Sequence, residues 1–126
     1  MPDVQGRKGP PKTMARVGWR VLVVLTALLV ANHTLGSLTF ATSDDERALF
    51  VIFLAFGVLS LVVLLIPYRR QERWSWWATW IPIAANALPL VIFPFDEIVA
   101  FYAGIAVVMA VAQLMTLRAF GPRKPE

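Results

Sequence analysis

Apolar residues gather into four long runs, and charged residues are concentrated in the gaps between them and in the two tails. The runs extend from about Val17 to Phe40, Ala48 to Ile66, Trp74 to Phe93 and Ile98 to Leu117. Crossing a hydrocarbon layer about 30 Å thick takes roughly 20 apolar residues at roughly 1.5 Å each. Only a helix lets a single segment satisfy its own backbone groups there. Each run is of about that length, so the pattern predicts an all-α, integral-membrane four-helix bundle over residues 17–117. The gaps are short, so each helix must return antiparallel to the one before, which predicts an up-down-up-down bundle.

The edges of the runs carry their own signals. A basic head before an apolar run is also the layout of a secretory signal, with Thr39-Phe40-Ala41 as a weak small-x-small site. Such signals hold about 7–15 apolar residues, and the first run is longer, so a retained helix is expected. Ser43 followed by Asp44, Asp45 and Glu46 predicts an N-cap with carboxylates at the positive end of the next helix dipole. Pro67 closes the second run, and Pro94-Phe95-Asp96-Glu97 reads as a tight turn. Pro82 and Pro89 lie inside the third run, where neighbouring helices can take up the freed carbonyls, so a bend is expected there and not a break. Residues 1–16, rich in Pro, Gly and base, read as a disordered tail, and residues 118–126 as a short basic one.

Composition sharpens the picture. The chain is 58% hydrophobic and 16% charged, whereas soluble domains are about a quarter charged. A net charge of +4 raises the question of nucleic acid. The basic residues flank apolar segments, however, and do not line a polar face, so lipid headgroups are the expected partner and nucleic acid is not. Five Lys and Arg precede or open the first run, three lie in the middle gap and three in the C-terminal tail, eleven of the 12 in all. The other two gaps hold Asp44, Asp45, Glu46, Asp96 and Glu97 against the single base Arg47. Basic residues stay cytoplasmic, which predicts both termini inside. Trp19, Tyr68, Trp74, Trp76, Trp77 and Trp80 fall at the same predicted boundary, where an interfacial belt is expected.

Few polar side chains lie within the runs. Thr26, His33 and Ser37 share a stripe on the first, as do Phe53, Gly57 and Ser60 on the second. Ser75, Thr79 and Asn86 do so on the third, and Ala103, Ala106, Ala110 and Gln113 on the fourth. Small and polar stripes of this kind make a bundle interior. Asn86 falls near the midplane, where an amide needs a partner. His33, Asn86, Tyr102 and Gln113 are therefore candidates either for hydrogen-bonded polar groups that join the helices of the bundle or for the lining of a cavity for a small lipophilic molecule. The chain has no cysteine and one histidine, and its spans carry no acid. Thiol chemistry is thereby excluded. No catalytic residue, metal site or cofactor is expected, because no nucleophile, base and orienting group can be assembled.

The gap Tyr68-Arg69-Arg70-Gln71-Glu72-Arg73-Trp74-Ser75-Trp76-Trp77 resembles the cytoplasmic loop of small bacterial four-helix membrane proteins, some of them loosely DoxX-like. That loop often reads Tyr-Arg-Arg-Gly-Glu-Arg-Trp-Ala-Trp-Trp, from which Gln71 and Ser75 depart. The resemblance covers about ten residues and the helix layout. It implies a fold and a bacterial inner-membrane location, and it carries no activity. Arg69, Arg70, Arg73, Trp74 and Trp77 form a candidate clamp for a lipid headgroup, or an ion pair with Glu72 and an Arg stacked on Trp. The expectation is a non-enzymatic accessory subunit that associates with itself or with a larger membrane complex. The alternative is binding or transport of a lipid or quinone in the bundle.

Overall fold

Helix starts are set by side chains that accept the backbone donors no helix can satisfy internally. Ser43 Oγ accepts from the Glu46 N–H at 3.1 Å, while Glu46 Oε2 reaches back to the Thr42 N–H at 2.8 Å. Asp96 Oδ1 caps the last long helix by accepting from the Val99 N–H at 2.8 Å. A computed structural model describes residues 12–121 of the chain. They form α1 (Lys12–Leu35) with a wide π-helical turn (Gly36–Phe40), then α2 (Asp44–Leu65) and α3 (Arg73–Ala87). A short α4 (Pro89–Ile92), α5 (Glu97–Met115) and a 3-10 turn (Leu117–Phe120) complete the fold.

Four of the segments are long and apolar enough to cross a membrane: Thr13–Phe40, Asp44–Leu65, Arg73–Ile92 and Glu97–Met115. Their large apolar side chains face outward, Val91 with 84% of its surface exposed, while Thr26, Ser75, Thr79 and Gln113 are buried. In water that arrangement would be inside out. It fits an apolar surround, in which helices associate through small and hydrogen-bonding groups.

Several boundaries differ from the expected ones. Residues 12–16, assigned above to a tail, are the first turn of α1. Pro11 is the last proline before them, and the residues that follow are mostly helix formers. The remainder of that tail, residues 1–11, and residues 122–126 lie outside the described residues. The front of the C-terminal tail is the 3-10 turn. The helix runs through Pro82 without interruption. Only Leu88 separates α3 from α4, and its φ of −57° and ψ of −37° remain helical. Proline at the first position of α4 lacks a donor that would be idle there in any case.

α1 packs against both α2 and α5, and α3 and α4 pack against α5; α2 and α3 touch less. The core runs through Leu22, Leu64, Tyr68, Trp76, Met109 and Ala112. Gly18 permits a close approach of two backbones: a methyl group on it would stand 2.5 Å from the Ala112 carbonyl oxygen. The start of α1, the end of α2, the start of α3 and the end of α5 meet at one end of the fold, termed here the basic end. At the other, acidic end, Arg47 pairs with Asp44 at 3.7 Å and its Nε donates to the Ser37 carbonyl at 3.2 Å. The lone base of the acidic gaps thus fastens α2 to the turn that ends α1.

Candidate functional site

The basic end is closed by a ring of hydrogen bonds among side chains from three chain segments. Trp76 Nε1 donates to Thr116 Oγ1 at 3.1 Å, and Thr116 Oγ1 lies 2.5 Å from the Tyr68 hydroxyl. The Tyr68 hydroxyl donates to Gln113 Oε1 at 2.8 Å, and Gln113 Nε2 donates to the Trp76 carbonyl at 2.7 Å. Two hydroxyl protons must serve three contacts, because Thr116 Oγ1 also lies 2.7 Å from the Gln113 carbonyl. That carbonyl already accepts from the Thr116 N–H at 3.1 Å. The Thr116 proton is therefore best given to Tyr68, and the ring then leaves every group satisfied. Burial pushes the Tyr68 phenol well above its ordinary pKa, with Thr116 pulling weakly the other way, so it stays a donor at neutral pH. Beside the ring, Trp19 Nε1 donates to the Leu64 carbonyl at 2.8 Å, which ties α1 to α2.

Above this ring lies a cleft of about 750 Å3. Its walls are the start of α1, the segment between α2 and α3, and the end of α5 with its 3-10 turn. Arg16, Arg20, Arg69 and Arg118 line it together with Trp19 and Phe120. Phe120 packs its ring 4.7 Å from that of Tyr68.

At the acidic end, buried His33 on α1 faces Tyr102 on α5, with Nε2 3.3 Å from the phenol oxygen. The Phe53 ring of α2 lies 5.4 Å from the imidazole. His33 Nδ1 and Thr26 Oγ1 are buried with no partner among the described residues. Whichever tautomer His33 adopts, one ring nitrogen is left over.

The four residues expected to share a cavity do not converge. Only His33 and Tyr102 meet. Gln113 lies eleven residues farther along α5, roughly 16 Å away, inside the ring. Asn86 is half-buried and donates from Nδ2 to the Pro82 carbonyl of its own helix at 2.8 Å. The i, i+4 spacing to a proline carried that signal. The stripe on α2 is only partly inward: Gly57 meets Val30, whereas Phe53 is 48% exposed.

The aromatic belt divides as well. Trp74 and Trp77 are exposed, but Tyr68 and Trp76 are core residues. Of the expected headgroup loop, Arg69 enters the cleft and Arg73 borders a smaller hollow beside it. Glu72 Oε2 accepts a hydrogen bond from the Trp74 indole N–H at 2.7 Å, and no loop arginine pairs with Glu72 among the described residues. The ion pair and the Arg–Trp stack considered above are therefore replaced by a Trp–Glu contact. Arg16, Arg20 and Arg118 were not singled out from sequence. The i, i+4 spacing of Arg16 and Arg20 places them on one helix face, but nothing local shows that Arg69 and Arg118 join them.

The chain is an all-helical protein with four segments fit to cross a membrane, carrying a basic cleft at one end and an incompletely bonded polar pair at the other. Comparison with protein-family models, curated proteins and solved structures finds no match.

Proposed function

We propose that this chain is a four-span protein of a bacterial cytoplasmic membrane, up-down-up-down with both termini inside. It acts without catalysis, as an accessory subunit that associates with itself or with a larger membrane assembly. The observation that carries the subunit reading is α2. Of its 22 residues only Leu64 is fully buried: the helix packs along α1 on one side and leaves the rest of its apolar surface facing outward. The absence of catalysis is supported by where the polar groups go. Those at the basic end fasten helices together, and no acid hydrogen-bonds to the His33–Tyr102 pair among the described residues. The orientation is supported by the eleven-to-one distribution of Lys and Arg.

Native mass spectrometry of the protein extracted in mild detergent tests the subunit reading. An oligomer, or a complex with a second membrane protein in fixed ratio, is the expected result. A monomer that retains one small lipophilic molecule, and loses it when His33 is replaced by Leu, would replace this reading with the second one, binding of a lipid or quinone in the bundle. The second reading is favoured by two buried, unpartnered polar atoms, Thr26 Oγ1 and His33 Nδ1.

A further inference from the structure

Four arginines from three separate stretches of chain line one cleft. Arg16 and Arg20 belong to α1, Arg69 to the segment between α2 and α3, and Arg118 to the turn after α5. A bias of basic residues toward one side of a membrane places Arg in all three stretches. It does not bring them to a common space. No carboxylate lines the cleft among the described residues, and Glu72, three positions from Arg69, is held by Trp74. Like charges facing a shared space repel one another, and an anion among them removes that repulsion.

The floor of the cleft has a different character. Trp19 and Tyr68 both line it, but their polar tips are already engaged, the indole N–H with the Leu64 carbonyl and the phenol with Gln113. What they offer to the cleft is ring surface, extended by Phe120. A complementary ligand therefore has an anionic head and an apolar body. The space of about 750 Å3 falls within the usual range of ligand pockets, about 300–1,000 Å3, enough for a headgroup and the first carbons of its chains. The cleft sits where four apolar helices end, so the chains of such a ligand run out into the bilayer.

We propose that this cleft binds an anionic phospholipid. Its phosphate lies among Arg16, Arg20, Arg69 and Arg118, which can grip phosphate oxygens in pairs. Its glycerol region lies against Trp19 and Phe120. Inorganic phosphate shares the charge but leaves the apolar floor uncovered, so the lipid is the occupant and the free ion is not.

The test is a lipid titration of the delipidated full chain in non-ionic detergent, followed by native mass spectrometry. The probes are phosphatidylglycerol, phosphatidylcholine with matched chains, and sodium phosphate. One phosphatidylglycerol should be retained at least about tenfold more tightly than phosphatidylcholine, and sodium phosphate should not displace it. The double variant Arg20→Gln/Arg118→Gln should weaken retention about thirtyfold, at about fivefold for each charge near an anionic headgroup. Arg70→Gln/Arg73→Gln removes the same charge outside the cleft and should change retention less than about threefold. Equal retention of the two lipids, displacement by free phosphate, or an equal loss in the Arg70/Arg73 variant would each overturn the proposal. The comparison of the two lipids needs no variant, so poor folding of either double variant leaves the proposal open to refutation. Neither oligomeric state nor sidedness enters the measurement.

Discussion

Replacing Tyr68 with Phe removes one oxygen from the ring and keeps the aromatic body that packs against Phe120. Thr116 can then return its proton to the Gln113 carbonyl, 2.7 Å away, and continues to accept from Trp76. Gln113 Oε1 has no such recourse: its donor was the Tyr68 hydroxyl at 2.8 Å, and the residue is fully buried. Removing one partner so that a buried acceptor is stranded costs about 1–3 kcal/mol, so Tyr68→Phe should destabilise by about 1–3 kcal/mol. Hydrogen bonds between helices within the bilayer average only about 0.6 kcal/mol, because the unfolded chain finds partners there too. Tyr68 lies between α2 and α3, and Gln113 stands two residues before the end of α5, so the bond sits at the edge of the apolar segments and the larger figure applies. Reversible unfolding by SDS in mixed micelles, followed by circular dichroism, measures the difference. In a Gln113→Leu background the stranded acceptor is gone, and Tyr68→Phe should then cost less than about 1 kcal/mol. A single-variant effect below about 0.5 kcal/mol, or full additivity of the two substitutions, would refute a closed ring.

Thr26→Val replaces a buried hydroxyl that has no partner among the described residues with a methyl group of nearly equal size. It should stabilise the protein by about 1 kcal/mol in the same titration, and a loss of similar size would show that the hydroxyl holds a bound molecule. Gln71 has a φ of 59°, the left-handed region, at the position where the resembling loop carries Gly. Gln71→Gly should raise stability by about 0.5–1 kcal/mol, the relief of that conformation less the greater chain entropy of Gly; a loss would show that the Gln side chain makes a compensating contact.

The helices were legible because hydrocarbon imposes length and continuity on any segment that crosses it, and four runs met both demands. The cap at Ser43 was legible for a similarly local reason, since an oxygen three residues ahead of an orphan donor needs no tertiary partner; Asp96, read only as part of a turn, caps α5 by the same geometry. Tyr68 and Trp76 were misplaced because an interfacial belt and a hydrogen-bonded core call for the same residue types, an apolar ring with a polar tip. Only the positions of Gln113 and Thr116 decide between the two uses, and those belong to another helix. The expected cavity failed on height. Inward-facing stripes place residues on the right side of a helix, but Gln113 lies five residues from Arg118 and so belongs to the basic end, far from His33. That much could have been counted along the chain.

The ring and the cleft bear on one another. A cluster of arginines selects a phosphate only when the segments that carry them are fixed, because arginine side chains are long and lose much rotamer freedom on binding. Each of the three walls has a clamp close to its arginines. Trp19, between Arg16 and Arg20, is tied to the Leu64 carbonyl at 2.8 Å. Tyr68 precedes Arg69, Thr116 stands two residues before Arg118, and these two touch at 2.5 Å within the ring. The same bonds that leave the floor of the cleft apolar therefore hold its charged rim in place. A core of Leu and Phe would also have joined the helices, but without directional bonds it would have left the spacing of the three basic segments less well defined. That is a physical reason for a small membrane bundle to concentrate its hydrogen-bonded Tyr, Trp, Gln and Thr at the end where its arginines gather.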